Sequence, residues 1–76
     1  MIKDSDIKKN RKFSFNLNGS IRIIEVLDTP TKQIFGPVSV VIIKAYYENT
    51  PNDVETTQMH KKDLVRFLNE RSAKKG

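Results

Sequence analysis

Two alternating runs of apolar and polar residues flank an Asn-Gly pair early in the chain. Apolar residues occupy positions 13, 15 and 17, Asn18-Gly19 follows, and the alternation resumes at Ile21 and Ile23. A type I′ turn needs positive φ at both central residues, and Asn-Gly is the pair that supplies this most readily. The pattern therefore predicts a β-hairpin of strands 12–17 and 20–27 and indicates a small antiparallel β domain.

The apolar positions change face within the second predicted strand. Ile21 and Ile23 share one face, whereas Ile24 and Val26 share the other. Two interpretations fit this pattern: a bulge near Ile23–Ile24, or a strand that is buried on both faces.

Further strands are predicted after a loop around Pro30. Ile34 and Phe35 are expected to return to the core, and Gly36-Pro37 to interrupt the chain before the longest strand, 38–47. That strand is rich in β-branched residues on both faces, which indicates a central strand or one that curls around a barrel. A polar loop at 48–53 and a short fourth strand at 54–59 complete the β region.

The hydrophobic period changes to that of a helix near position 61. Leu64, Val65, Phe67 and Leu68 form one apolar arc, which predicts a short helix over 62–70. Residues 72–76 are expected to be a flexible basic tail.

The first eleven residues are expected to be partly flexible, with one anchoring contact from Ile2 or Ile7. In one interpretation Asp4-Ser5-Asp6 caps a short helical turn over 7–9, which Asn10 ends in a left-handed conformation. In the other, Ile7 lies on a short edge strand and Asn10 sits in a tight turn before Phe13.

Together these elements predict one domain over residues 1–76, mainly β with a short C-terminal helix. The expected fold is a four-stranded antiparallel meander. Two architectures remain open: an SH3-like small barrel, and an open sheet closed by the helix.

Size and composition restrict the cellular setting. The chain has 76 residues and no cysteine, and its longest apolar run is the four residues 40–43. Small secreted domains usually rely on disulfides, and a membrane span needs roughly 18 apolar residues. A cytoplasmic protein with no membrane role is therefore expected.

The net charge of +5 is distributed unevenly. Residues 1–27 carry +3, residues 28–59 carry −2, and residues 60–76 carry +4. If the two basic regions meet in the fold, they form one positive face that attracts polyanions or acidic proteins. The competing interpretation is that this charge only keeps a small domain soluble.

Catalytic chemistry finds little support in the residue types. His60 is the only histidine, and the carboxylates at Asp4/Asp6 and around Glu55 have no metal-ligand spacing. Three glycines are too few for a phosphate-binding loop motif. We expect no enzyme activity, no metal, no cofactor and no small-molecule substrate.

The favoured function is a non-enzymatic binding module that contacts DNA or RNA through a basic face. Tyr46 and Tyr47 point to opposite faces of their strand, so one of them is expected to be exposed. The candidate nucleic-acid-binding residues are Lys8, Lys9, Arg11, Lys12, Tyr47, Lys61, Lys62 and Arg66.

Protein–protein interaction is the alternative function. An edge strand, 12–17 or 54–59, can pair with an acidic protein or with a second copy of the chain. A third possibility is an accessory role that leaves no mark on the sequence.

Overall fold

In the part of the chain that the structure describes, five antiparallel strands form one open sheet, and one α-helix packs on one face of it. The computed structural model describes residues 1–29 and 39–76. A 3₁₀-helix at Asp4–Asp6 precedes the sheet. The other elements are β1 (Lys12–Leu17), β2 (Ser20–Asp28), β3 (Val40–Tyr47), β4 (Thr50–His60), α1 (Lys61–Glu70) and β5 (Lys74–Lys75).

The spatial strand order is β4-β3-β2-β1-β5, so the first four strands form the predicted meander and the short β5 is added beside β1. The sheet is not closed into a barrel. Of the two predicted architectures, the open sheet with one helix is the one that the protein adopts.

The predicted hairpin is confirmed. Asn18 and Gly19 have φ values of 52° and 87°, which are the positive values that a type I′ turn requires. The Asn16 side-chain oxygen accepts a hydrogen bond from the Gly19 N–H at 3.0 Å, and Leu17 pairs with Ser20 to close the turn.

The bulge predicted near Ile23–Ile24 is wrong. Pairing between β2 and β3 is regular from Arg22 to Val26, and the register shifts only between Val26 and Asp28. The change of face in the apolar pattern has the other predicted origin, because β2 carries apolar side chains on both faces. Ile24 and Val26 are buried, and Ile23 is half-buried on the opposite face.

The core lies between α1 and one face of β1, β2 and β3. Cross-strand pairing aligns Phe13 with Ile24, and Ile24 with Ala45. Leu64 and Leu68 of α1 are fully buried against this face, and each contributes roughly 1.5–3 kcal/mol through loss of apolar surface from water. The apolar arc predicted for the helix is therefore the one that packs against the sheet.

A Schellman motif ends the helix and returns the chain to the sheet. The Ala73 N–H donates to the Leu68 carbonyl at 2.9 Å, the Ser72 N–H donates to the Asn69 carbonyl at 3.1 Å, and Ser72 has φ +53°. This reversal brings Lys74 beside Ser14 of β1. The segment that was predicted to be a flexible tail thus contains a strand, because β1 offers it backbone hydrogen-bonding groups.

The first residues are anchored more strongly than predicted. Ile2 and Ile7 are both 3% exposed, whereas one anchoring contact was expected. Asp4–Asp6 form the 3₁₀-helix themselves, and neither the helical turn predicted over 7–9 nor an edge strand at Ile7 is present. Asn10 has the left-handed φ of 72° and lies in a turn in which the Arg11 N–H donates to the Lys8 carbonyl at 3.0 Å.

Some predictions concern positions outside the described residues. These are the loop beyond Thr29, the return of Ile34 and Phe35 to the core, the break at Gly36-Pro37, and a strand start at Val38.

Candidate nucleic-acid interface

The first and last segments of the sequence are joined by four contacts, two of which involve the Asn69 side chain. The Asn69 side chain accepts a hydrogen bond from the Ile2 N–H at 2.8 Å and donates one to the Ile2 carbonyl at 2.9 Å. The Lys75 ammonium lies 3.4 Å from a carboxylate oxygen of Asp6. The Gly76 N–H donates to the Lys12 carbonyl at 2.8 Å. The two ends of the chain, where the sequence concentrates basic residues, therefore meet in the fold.

This meeting concentrates the net charge of the protein. Residues 1–12 carry five basic and two acidic side chains, and residues 70–76 carry three and one. Residues 13–69 carry six of each, so the two joined segments hold the whole net charge of +5. We call their cations on and around β1 and β5 the basic edge; its members are Lys8, Lys9, Arg11, Lys12, Arg71, Lys74 and Lys75.

Four lysines of the basic edge are exposed and have no neutralising partner in the described parts of the chain. Lys8, Lys9, Lys12 and Lys74 are exposed, and none of them has a described carboxylate oxygen within 4.0 Å. Glu25 is paired in register with Lys12, but its carboxylate lies 3.5 Å from the Lys44 ammonium instead. These four ammonium groups are therefore available to an incoming anion.

Asp6 is the carboxylate that ties the two segments together. Its side chain accepts a hydrogen bond from the Lys3 N–H at 2.9 Å. That hydrogen bond, followed by the contact with the Lys75 ammonium, holds the pKa of Asp6 below its ordinary value. Asp6 therefore stays ionised near neutral pH and positions Lys75 at the edge of the sheet.

Arg71 is held in place by two aromatic rings. Its guanidinium carbon lies 3.8 Å from the ring centroid of Phe67 and 5.9 Å from that of Phe15, and the two rings pack edge to face at 5.8 Å. The guanidinium also donates to the Phe67 carbonyl at 3.2 Å. A side chain that is ordered in this way loses little additional entropy when it binds an anion.

A cleft of about 480 Å³ lies along the edge of β1 next to these cations. The polar and charged side chains that line it are those of Ser14, Asn16, Arg71, Ser72 and Lys74. The Lys12 carbonyl accepts a hydrogen bond from the Gly76 N–H, so the backbone N–H and C=O of Lys12 point toward β5. In an antiparallel strand alternate residues point these groups to the same side, so those of Ser14 and Asn16 point that way too. Asn16 lies beyond the two-residue pairing with β5, and its N–H therefore points outward at the cleft.

The other predicted cations lie at a different corner. Lys61 and Lys62 begin α1 directly after β4, three strands away from β1, which is about 14 Å at the usual interstrand spacing. Arg66 lies 2.9 Å from a carboxylate oxygen of Asp63, so its charge is compensated. The structure places these three residues on α1, with Lys61 and Lys62 at the end of the helix opposite to Arg71.

Tyr47 also lies apart from the basic edge. It pairs with Arg22 and faces the helix side of the sheet, two strands away from Phe15 and the Arg71 that lies over it. Lys12 and Lys74 project from the other face. The Tyr47 ring is half-buried beneath the Arg22 guanidinium, whose carbon lies 4.5 Å from the ring centroid. Tyr46, on the opposite face, is only 9% exposed. Neither ring is freely exposed for stacking on a base.

Sequence reasoning left Arg71, Lys74 and Lys75 out of the candidate site. The charge of residues 60–76 was visible in the sequence, but the position of the segment depends on the Schellman turn and on its pairing with β1. The signal that pointed to these residues was the concentration of basic side chains at both ends of the sequence.

Among residues 1–29 and 39–76, no group of three or more potential metal ligands occurs, and no helix is long and apolar enough to cross a membrane. His60 is exposed and occupies the N-cap position of α1, where its side chain makes no capping hydrogen bond. No protein family, curated protein or solved structure matches the chain.

Proposed function

We propose that this protein is a non-enzymatic module that binds DNA or RNA through the phosphate groups, using the basic edge. The observation that carries the proposal is the meeting of residues 1–12 and 70–76, which together hold the whole net charge of +5, through the Lys75–Asp6 and Gly76–Lys12 contacts. Lysines that neutralise phosphates release condensed counterions, which drives sequence-independent binding.

The cleft supports a backbone-directed mode of binding. A phosphate in it would meet the Arg71 guanidinium, the Lys74 ammonium and the Ser14 and Ser72 hydroxyl groups, with the Asn16 N–H beside them. Arginine and backbone N–H groups are common ligands of phosphate oxygens in complexes with nucleic acids. We infer that this cleft holds one phosphate group, while Lys8, Lys9 and Lys12 contact neighbouring ones.

The tyrosine environments indicate weak discrimination between base sequences. Stacking platforms for single strands need exposed aromatic faces, and Tyr46 and Tyr47 do not offer them. Binding through phosphates alone fixes position without reading sequence. We expect similar affinities for oligonucleotides of equal length and different sequence.

The test is a fluorescence anisotropy titration of an oligonucleotide at several salt concentrations. If the basic edge contacts about four phosphates, affinity falls roughly 50- to 150-fold between about 50 and 200 mM salt. The variant Lys9→Glu/Lys74→Glu removes two of these contacts and should weaken binding by about 10-fold or more at low salt.

A matched control separates location from net charge. Lys61→Glu/Lys62→Glu changes the net charge by the same amount, but at the start of α1. This control should weaken binding by no more than about 3-fold through the long-range field. Equal losses in the two variants, or an affinity that does not depend on salt, would contradict the proposal.

A further inference from the structure

The strand at the edge opposite β5 is long and exposed on both faces. β4 runs for 11 residues, and every residue in it except Met59 is exposed. Among the described residues, only β3 pairs with it. An exposed edge of this length displays backbone groups that another strand can bind.

The direction of these backbone groups follows from the pairing with β3. The Lys61 N–H donates to the Ser39 carbonyl at 2.8 Å, and Met59 pairs with Val41. In an antiparallel ladder alternate residues turn their N–H and C=O to the same side. Thr57 and Met59 therefore face β3, whereas Thr56 and Gln58 present their backbone groups outward.

The second half of β4 lacks the features that usually block edge pairing. Pro51 and the register shift near Ala45/Tyr47 interrupt the first part of β4. From Glu55 to His60 the pairing with β3 is regular, and this stretch contains no proline and no lysine. Natural edges are commonly protected by such residues or by bulges. This half of the strand is geometrically ready to accept a partner strand.

The charges along β4 favour one particular partner. Asp53 and Glu55 lie in its first part, and Lys61 and Lys62 follow its last residue. When two copies pair antiparallel, the acidic part of each lies opposite the basic end of the other. Parallel pairing would instead place like charges together, which is unfavourable.

We propose that the protein forms a two-fold symmetric dimer in which the β4 strands of two copies pair antiparallel, with the axis near Thr57. Thr56 of each copy then opposes Gln58 of the other, so the outward backbone groups meet. Asp53 of each copy lies opposite Lys61 of the other. The two sheets merge into one, with the self-complementary interface that a dimer of identical chains requires.

Sedimentation velocity over a range of protein concentrations tests this proposal without any nucleic acid. A strand-addition interface is small, so we expect a dimer dissociation constant of roughly 10–1,000 µM. A monomer at all concentrations up to about 1 mM would overturn the proposal, whatever the result of the oligonucleotide titrations.

Charge reversal provides the sharper test of the antiparallel register. In this register Asp53→Lys/Glu55→Lys places one lysine opposite Lys61 and a second lysine near it. Lys61→Glu/Lys62→Glu places a glutamate opposite Asp53, with a second glutamate beside it. Each variant alone should dimerise about 10-fold more weakly than the unchanged protein, because like charges then face each other. Mixed in equal amounts, the two variants should form a heterodimer of near-original affinity.

Recovery in the mixture also shows that both variants are folded. A heterodimer no tighter than the two homodimers would overturn the antiparallel arrangement. So would a variant that is folded by circular dichroism and dimerises as tightly as the unchanged protein.

Discussion

Ser72 carries a conformational cost that glycine would remove. It occupies the left-handed position of the Schellman motif, at φ +53°, where a side chain is sterically disfavoured. Ser72→Gly should raise the free energy of unfolding by about 0.5–1 kcal/mol, measured by urea denaturation. Ser72→Ala is the matched control and should give no gain, since alanine keeps the Cβ. A glycine variant no more stable than the alanine variant would mean that α1 does not end in this motif.

Asp6 makes stability depend on pH. Because its pKa is lowered in the folded protein, first by the Lys3 N–H and then by Lys75, ionised Asp6 stabilises the fold above its ordinary value of 3.8. This contribution is lost as the pH falls through the lower folded value. Unchanged protein should therefore be more stable than Asp6→Asn at pH 7, and the two should converge once the pH falls below the lowered folded pKa of Asp6. Parallel stability curves from acid to neutral pH would contradict this role.

At the scale of elements, Asn69 connects the last turn of α1 to the start of the chain. Its side chain makes two hydrogen bonds to the Ile2 backbone, so Asn69→Ala leaves both backbone groups without that partner. We expect a loss of about 1–3 kcal/mol.

Hydrogen exchange measures where this loss occurs. In the Asn69→Ala variant, amides near Ile7 should exchange faster, while those in the β2–β3 pairing change less. Glu70→Ala is the control, because Glu70 is exposed and makes no described hydrogen bond to residues 1–12. Uniformly faster exchange across the sheet would show that residues 1–12 do not open separately from the sheet.

The elements that the sequence predicted correctly are those formed by local chemistry. Asn18-Gly19 and the apolar arc of Leu64 and Leu68 need only a turn preference and a helical period. β5 was missed because Lys74 and Lys75 have no strand pattern of their own, and they become a strand only where β1 accepts them. The sequence left two explanations for the change of face in β2, a bulge near Ile23–Ile24 or burial on both faces, and only the neighbouring strands distinguish them.

At the scale of the whole molecule, the candidate site was predictable in composition but not in position. The sequence placed basic residues such as Lys8 and Lys12 before β1, and the structure adds Arg71 and Lys74 to the same edge. Lys61 lies at the other side of the sheet because it follows β4, which is the edge strand farthest from β5. The order of the strands cannot be derived from the charges in the sequence. The distribution of charge along the sequence predicted a positive face, and the order of the strands determined which basic residues share it.

The two proposed surfaces occupy opposite edges of the sheet. The basic edge lies at β1 and β5, and the proposed pairing edge is β4. A dimer through β4 therefore leaves a basic edge at each outer end of the merged sheet. A polyanion long enough to reach both ends would gain affinity through effective concentration. The oligonucleotide that compares the charge-reversal variants must therefore be short enough to contact only one basic edge.

Binding of nucleic acid by the basic edge is tested most directly by an NMR titration of ¹⁵N-labelled protein with single-stranded and then duplex DNA, at low and then moderate salt. If the basic edge binds phosphates, the amides of 8–12, Asn16 and 71–75 show salt-sensitive shifts, with smaller changes at 61–66. Shifts confined to 61–66 and Tyr47, or no shifts at low salt, would contradict a nucleic-acid interface at the basic edge.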